Sequence, residues 1–365
     1  MDRDEQAYAA QLAAKTEHFT RLFAGLDTPP LEVFASPESH FRMRAEFRIW
    51  HEGGRIDYAM FEPGRKAGTA SLIKIRTFQT ASRAINELMP TLLAALSADD
   101  VLKNRLYQCE FLGTQSGEML VSLIYHKKMD DAWTEAARRL AQAFGIHIIG
   151  RSKGQKIVLS QDFVTEEMSV GGRLYRYRQT EGGFTQPNAA VCGKMLAWAA
   201  DCAGSDPRDL LELYCGNGNF TLPLAAGFRR VLATEISKTS VAAAQWGIEA
   251  NGIGNIRIAR LSAEEFTEAY QGRRTFRRLA EQGIDLAAYD FSTVFVDPPR
   301  AGVDGDTLRL LAGFDRILYI SCNPDTLRAN LDVLAQSHRI RRMALFDQFP
   351  FTHHIESGVL LEKRG

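Results

Sequence analysis

The sequence predicts a two-part chain: an α+β region over residues 1–180, then a doubly wound, mostly parallel α/β sheet over residues 181–365. Three observations predict it. Before about residue 180, period-two strands and a hairpin are interleaved with helical spacings. After it, short apolar runs alternate with helical patterns, the mark of strand–helix–strand units. Four of those runs stop at chemically unusual residues, at the strand ends where such sheets bind ligands.

Composition sets the limits. A chain of 365 residues, 45% hydrophobic and 24% charged, suits a globular protein with a sizeable core and room for two domains. No apolar window reaches membrane-spanning length. The start, Met1-Asp2-Arg3-Asp4-Glu5, is acidic and lacks a signal-peptide core. Five cysteines (109, 192, 202, 215, 322) contain no CxxC, so neither a disulfide scaffold nor a zinc site is expected, and a reducing cytoplasm is. Forty-four basic and 44 acidic side chains cancel, which excludes a protein that simply coats nucleic acid but leaves room for local basic surfaces.

The spacing of Tyr8, Leu12, Phe19, Leu22 and Phe23 predicts a packing helix over 4–24, ended by Gly25. Phe41, Met43, Ala45, Phe47 and Ile49 then alternate with Arg42, Arg44, Glu46, Arg48 and Trp50. One face of this strand is apolar and the other carries three arginines and a tryptophan. That outer face suits phosphate contact and base stacking, or else is a solvated face with paired arginines. A helix over 80–96 follows, then a hairpin over 106–112 and 119–126, a helix over 132–144, and strands at 146–150 and 156–159. The order strand, helix, strand, strand, helix, strand is that of ferredoxin-like and RNA-recognition domains. Basic clusters recur at His126-Lys127-Lys128, Arg151-Ser152-Lys153 and Arg173, Arg176 and Arg178 with Tyr175 and Tyr177. Together they favour a nucleic-acid face.

Glu181-Gly182-Gly183 marks the join, and Phe184-Thr185-Gln186-Pro187-Asn188 leads into a helix running to about Cys202. Strands are expected at 209–214, 230–235, 256–261, 293–297 and 316–321, with 342–346 and 358–362 closing the chain as two neighbours. The first strand ends in Tyr214-Cys215-Gly216-Asn217-Gly218-Asn219-Phe220-Thr221. Its third GxGxxG position is threonine, which argues against nicotinamide or flavin. Glu235 ends the second strand 19 residues after Gly216, where a carboxylate takes ribose hydroxyls. Glycine turn and acid suit an adenosine ligand; the plainer alternative is a turn and an unrelated strand-end acid. The third end is Asp297-Pro298-Pro299-Arg300, where arginine replaces the aromatic residue that amino-group methylation uses. The fourth is Cys322, with Asn323 as N-cap and Pro324 at the first helical position. A helix N-terminus is expected to lower the thiol pKa and favour the thiolate. Alone, Cys322 reads as easily as an inert buried cysteine; four such ends on one sheet edge favour the nucleophile.

An adenosine ligand without a phosphate loop or nicotinamide fingerprint suggests S-adenosylmethionine. A thiolate beside it suits uracil, whose carbon 5 becomes nucleophilic once sulfur adds at carbon 6. The adduct must then lose its carbon-5 proton, so a base is needed. Glu356 is the candidate, with His353 and His354 as competitors. This cluster lacks a third ligand at metal spacing, and no metal is expected.

Leu211–Phe220, Val296–Arg300, Ser321–Pro324 and His353–Glu356, with Phe41–Trp50, Tyr125–Lys128 and Phe184–Asn188, resemble bacterial tRNA (uracil-5-)-methyltransferases across nearly the whole chain. The resemblance implies a Rossmann-like class I S-adenosylmethionine-dependent methyltransferase domain preceded by an α+β RNA-binding domain. It implies Cys322 as nucleophile and Glu356 as base, and Gln186, Tyr214, Asn219, Glu235 and Asp297 lining the S-adenosylmethionine site. The implied partners are the T arm of tRNA and tmRNA, with no membrane and no obligatory protein partner. Related enzymes that methylate 23S ribosomal RNA carry an iron–sulfur cluster on closely spaced cysteines. Here no two cysteines are closer than Cys192 and Cys202, so ribosomal RNA is the alternative substrate. Gly272-Arg273-Arg274-Thr275-Phe276-Arg277-Arg278 is read either as a tRNA contact or as a solvated face.

Overall fold

The computed structural model describes residues 3–365; Met1 and Asp2, part of the acidic start, lie outside the described residues. The opening helix, Arg3–Leu22, buries Tyr8, Phe19 and the following Phe23, as its spacing predicts, and stops at Gly25 (φ 88°). Strand β1 (Leu31–Phe34) follows. The chain forms two compact units: residues 39–167 with 179–189, and residues up to 38 with 168–178 and 190–365. The units therefore interleave along the chain, where the sequence suggests one join near residue 180. The reason is pairing: β1 joins the later sheet, and so the first 38 residues belong with it.

The first of these units holds a seven-stranded sheet. Its strands are β2 (Arg44–Glu52), β3 (Arg55–Phe61), β4 (Leu72–Ile75), β5 (Leu106–Gly113), β6 (Met119–Tyr125), β7 (His147–Ser152) and β8 (Gln155–Val158), in spatial order β4-β3-β2-β5-β6-β7-β8. Helices Arg83–Ala98 and Asp131–Phe144 supply Ile85, Met89, Leu92 and Trp133 to a core shared with Phe47, Tyr58, Phe111 and Tyr125. The predicted alternation in β2 holds: Ala45, Phe47 and Ile49 are buried, while Glu46 and Arg48 are exposed. Strands β2, β5, β6 and β7 with the two helices keep the expected element order, but they pair in sequence order and not in the split order of a ferredoxin-like sheet. Strands β3 and β4 extend the β2 edge; β2 turns into β3 through Gly53-Gly54, both left-handed (φ 57° and 77°), as a two-residue hairpin turn requires.

A second hairpin, β9 (Phe163–Val170) and β10 (Arg173–Thr180), turns at Gly171-Gly172. Tyr175 and Tyr177 are buried, so Arg176 and Arg178, at the alternate positions, lie on the opposite face of the strand.

The other unit holds eight strands: β1 with β11 (Asp206–Leu213), β12 (Phe228–Thr234), β13 (Ile256–Ala259), β14 (Phe291–Val296), β15 (Arg316–Ser321), β16 (His338–Phe346) and β17 (Glu356–Lys363). The order is β1-β16-β17-β15-β14-β11-β12-β13, parallel throughout except for β17. Counting from β11, this is 3-2-1-4-5-7-6 with an antiparallel seventh strand. Because β17 runs backwards, its first residues share an edge with the C-terminal ends of its parallel neighbours, and Ser357 faces Ser321 in register. Gly358 is required here: a Cβ would lie 2.6 Å from the Trp198 ring and 3.1 Å from Phe346.

Candidate active site

Strand order reverses at β11, whose neighbours are β12 and β14, and ligands bind such sheets outside the carboxyl ends at that point. The chain leaves β11 through Tyr214, Gly216 and Gly218, all left-handed (φ 64°, 56° and 84°). Tyr214 is a non-glycine residue in a region that costs it energy, held there by the turn. The Cys215 N–H donates to the Thr234 carbonyl (3.0 Å), and the Gly218 N–H to that of Cys215 (2.9 Å). Glu235, at the end of β12, accepts the Gly216 N–H (3.0 Å) and the Ser237 N–H (2.7 Å). One carboxylate thus ties the glycine turn to the next strand end. Asn219 is held by the neighbouring helix Ala189–Ala203, donating from Nδ2 to Cys192 Sγ (3.4 Å). Beneath the turn, Glu212 is buried, and burial followed by the charge of Asp297 pushes its carboxyl up to about 8.

The second half of the site lies at the ends of β14, β15 and β17. Burial raises the Asp297 carboxyl to about 7. Glu356, 5% exposed at the first position of β17, is pushed well above the usual carboxylate range by burial and then by Asp297, with Arg300 opposing. Cys322 is half-buried where β15 meets helix Pro324–Leu334, whose N-cap Asn323 accepts the Asp325 N–H (3.1 Å). Here one expectation is corrected. The thiol is not lowered but raised to about 11, by burial first and then by Glu356 and Asp297, against the weaker pull of Arg300. Burial, with two nearby carboxylates behind it, outweighs the helix end.

Arg300 is fixed from several sides. Its carbonyl accepts from Asn323 Nδ2 (3.0 Å) and from the Thr326 hydroxyl (3.4 Å), and its guanidinium Nη2 donates to His354 Nδ1 (2.9 Å). An arginine can only donate, so Nδ1 is the unprotonated ring nitrogen. His353 is exposed, its ring 4.2 Å from that of His354.

Tyr214, Asn219 and Glu235 thus gather about the glycine turn, and Asp297, Cys322 and Glu356 about the neighbouring strand ends. Gln186 lies half-buried in the segment 179–189, which belongs to the seven-stranded unit. Sequence reasoning missed Arg300 as a member of the site, and Glu212; an acid inside the apolar run Leu210–Leu213 is the signal that pointed to the latter. The arginines of 273–278 are each paired with a carboxylate, Arg273 with Asp306, Arg274 with Glu268, Arg277 with Glu281 and Arg278 with Glu265, which fits the solvated face. Among the described residues no group of His, Cys, Asp and Glu is arranged to hold a metal ion, and no helix is long and apolar enough to cross a membrane.

A 3-2-1-4-5-7-6 sheet with a glycine turn and a strand-end acid at its switch point has the fold of the S-adenosylmethionine-dependent methyltransferases. The chain is similar in fold to the tRNA (uracil-54, C5)-methyltransferase of Pyrococcus abyssi solved with S-adenosyl-L-homocysteine, with a TM-score of 0.71 at 19% identity over 97% of this chain and 83% of that one. Residues 7–364 match the family described as tRNA (Uracil-5-)-methyltransferase, and the chain belongs to that family. It is 66% identical over 357 residues to the tRNA/tmRNA (uracil-C(5))-methyltransferase of Neisseria meningitidis serogroup A, covering 98% of this chain and 99% of the relative. To the enzyme of the same name from Acinetobacter baylyi it is 60% identical, with the same coverage.

Proposed function

We propose that this enzyme moves a methyl group from S-adenosylmethionine to carbon 5 of the T-loop uridine of tRNA, position 54, and of the equivalent uridine in tmRNA, through a covalent adduct of Cys322. The observation that carries the reading is the cluster of Cys322, Glu356, Asp297 and Arg300 at one sheet edge, where Glu356 and Asp297 raise the thiol and Arg300 opposes them.

The residues present fit the methyl donor. Glu212 keeps a buried carboxyl oxygen without a hydrogen-bond partner, and Asp297 is a half-buried acid with no paired cation, among the described residues. Such acids suit a cationic ligand. Glu235, already oriented by two backbone N–H groups, keeps lone pairs for ribose hydroxyls. Tyr214, Asn219 and Gln186 complete the proposed binding set. S-adenosylmethionine supplies an electrophilic methyl on a sulfonium whose positive charge offsets these acids.

Cys322 gives up its proton to solvent and its sulfur bonds to uracil carbon 6. The carbon 5–carbon 6 electron pair shifts toward oxygen 4, and carbon 5 then takes the methyl group as the methyl–sulfur bond of the donor breaks and S-adenosylhomocysteine leaves. The Glu356 carboxylate then accepts the carbon-5 proton, the double bond re-forms, and the sulfur–carbon 6 bond breaks. Arg300 steadies the negative charge of the thiolate and of Glu356 before the RNA arrives. The uridine must be turned out of its stack to reach these groups. The seven-stranded unit offers a surface for the RNA. The Arg48 guanidinium lies 3.5 Å from the centre of the Tyr107 ring, which stacks on His126 at 3.9 Å, a cation–aromatic ladder suited to bases and phosphates.

Glu356→Gln keeps shape but cannot act as a carboxylate base. With tRNA and methyl-labelled donor it should accumulate a labelled protein–RNA adduct that survives denaturing electrophoresis, and Cys322→Ala on that background should abolish it. Normal turnover by Glu356→Gln, or a trapped adduct in His354→Ala instead, would move the base elsewhere. Labelling of purified ribosomal RNA in place of tRNA would replace the substrate.

A further inference from the structure

The helix Arg3–Leu22 carries no part in the chemistry above, yet one of its charges is buried. Lys15 is 6% exposed, and its Nζ donates to Asp347 Oδ1 (2.6 Å), the Phe349 carbonyl (2.9 Å) and the His354 carbonyl (2.8 Å). An ammonium group has three N–H bonds, and all three are used. Two other residues on the same helix face reach the same segment. Gln11 Nε2 donates to the Thr352 carbonyl (2.8 Å), and the Tyr8 ring meets Phe351 edge-on at 5.8 Å. The segment so held, 347–354, has no strand of its own and runs directly into Glu356. At its far end His354 Nδ1 accepts from Arg300.

We propose that Lys15 is a positioning residue for methyl transfer: by anchoring residues 347–354 it sets the His354 ring that holds Arg300 beside Cys322 and Glu356. The inference rests on reading Cys322 and Glu356 as nucleophile and base. Among the described residues, Arg300 is the only cation that opposes the carboxylates at either group. To accept from Arg300, His354 must be neutral. Burial and the neighbouring charges of His353, Arg300 and Lys15 lower its pKa and favour that state. Of the groups facing this path, Asp347 pairs with Lys15 through Oδ1 and also faces Tyr8, and Asp297, Glu356 and Cys322 lie at its far end. Loosening the segment frees His354, and a guanidinium without its acceptor no longer has one place to sit.

Lys15→Met alone leaves Asp347 buried and uncompensated, so the test pairs Lys15→Met with Asp347→Asn, which removes both charges. Folding is followed by thermal melting, donor and tRNA affinity by calorimetry, methyl transfer in a single turnover, and Cys322 ionisation by the pH profile of its alkylation with iodoacetamide. A folded double variant should keep both affinities within about twofold and lose about 10²-fold in methyl transfer, the scale of a small misplacement of a catalytic group. Its alkylation midpoint should move to higher pH. On an Arg300→Met background the same pair should change neither rate nor midpoint further. If the double variant does not fold, His354→Ala breaks the same path at an accessible residue and should give the same rate loss and pH shift. A wild-type rate and alkylation profile in whichever variant folds overturns the proposal, as does full additivity with Arg300→Met. Activity retained by Cys322→Ala would instead overturn the underlying reading of the site.

Discussion

At the scale of single residues, the site is acidic before it is nucleophilic. Asp297 stands at about 7, Glu212 at about 8 and Cys322 at about 11, all raised first by burial. For the two carboxyls, a raised pKa means the folded protein holds protons that the free groups would have lost at neutral pH. A cation placed beside these acids must drive some of those protons off. Binding of S-adenosylmethionine near pH 7 should therefore release up to about half a proton from Asp297 alone, since half of such groups are protonated there. Calorimetry in buffers of different ionisation enthalpy reads this directly. S-adenosylhomocysteine, which lacks the sulfonium charge, should release less, and Asp297→Asn should erase the difference. Equal proton release by the two ligands would mean that Asp297 does not face the sulfonium.

At the scale of elements, strand β2 separates its arginines by role. Arg44 donates through Nη1 to the Gly183 carbonyl (2.8 Å), and burial lowers its pKa, so it braces the segment before Gln186. Arg48 is exposed and rests on Tyr107. Arg48→Glu should therefore weaken tRNA binding and lower the slope of log affinity against log salt by about 1, with donor affinity unchanged. An unaltered salt slope would leave the outer face of β2 as a solvated surface. The two glycine pairs, Gly53-Gly54 and Gly171-Gly172, are an element-scale signal that was legible and not used. Each turns a two-residue hairpin, and each marks strands absent from the sequence reading.

At the scale of the molecule, the eight-stranded sheet depends on a buried ion cluster far along the chain from the catalytic motifs. Asp209, fully buried in β11, accepts from Arg229 (2.7 Å) and Arg230 (2.9 Å) and from the Asp290 N–H (2.8 Å). Burial pushes its carboxyl up, but these hydrogen bonds win and hold it at about 2. A carboxyl lowered on folding contributes stability above its unfolded pKa of about 4, and that contribution is lost as pH falls toward about 2. Asp209→Asn should cost roughly 3 kcal/mol at pH 7 and flatten the fall in stability over that acid window, as read by urea melts at a series of pH values. A melt indistinguishable from wild type at pH 7 would show that the cluster contributes nothing net.

What the sequence determined by itself was local chemistry: the strands of the later sheet other than β1, where they end, and which residues stand at those ends. Apolar runs and helical spacing are short-range properties, and Asn323 caps the helix that Pro324 begins, next to Cys322, wherever that helix goes. Three things were left to the tertiary structure. The first is pairing: β1 joins β16, and β17 enters backwards between β15 and β16, which alone brings Glu356 to the edge where Cys322 lies. The second is ionisation. The helix end argued for a low thiol pKa, yet burial first, and then Glu356 and Asp297, 34 residues after Cys322 and 25 before it, decide the opposite, because burial and through-space charge are set by the fold. The third is Lys15, whose spacing marks it only as a polar position on an amphipathic helix; its partners are 332 to 339 residues away, and no pattern within the helix could name them.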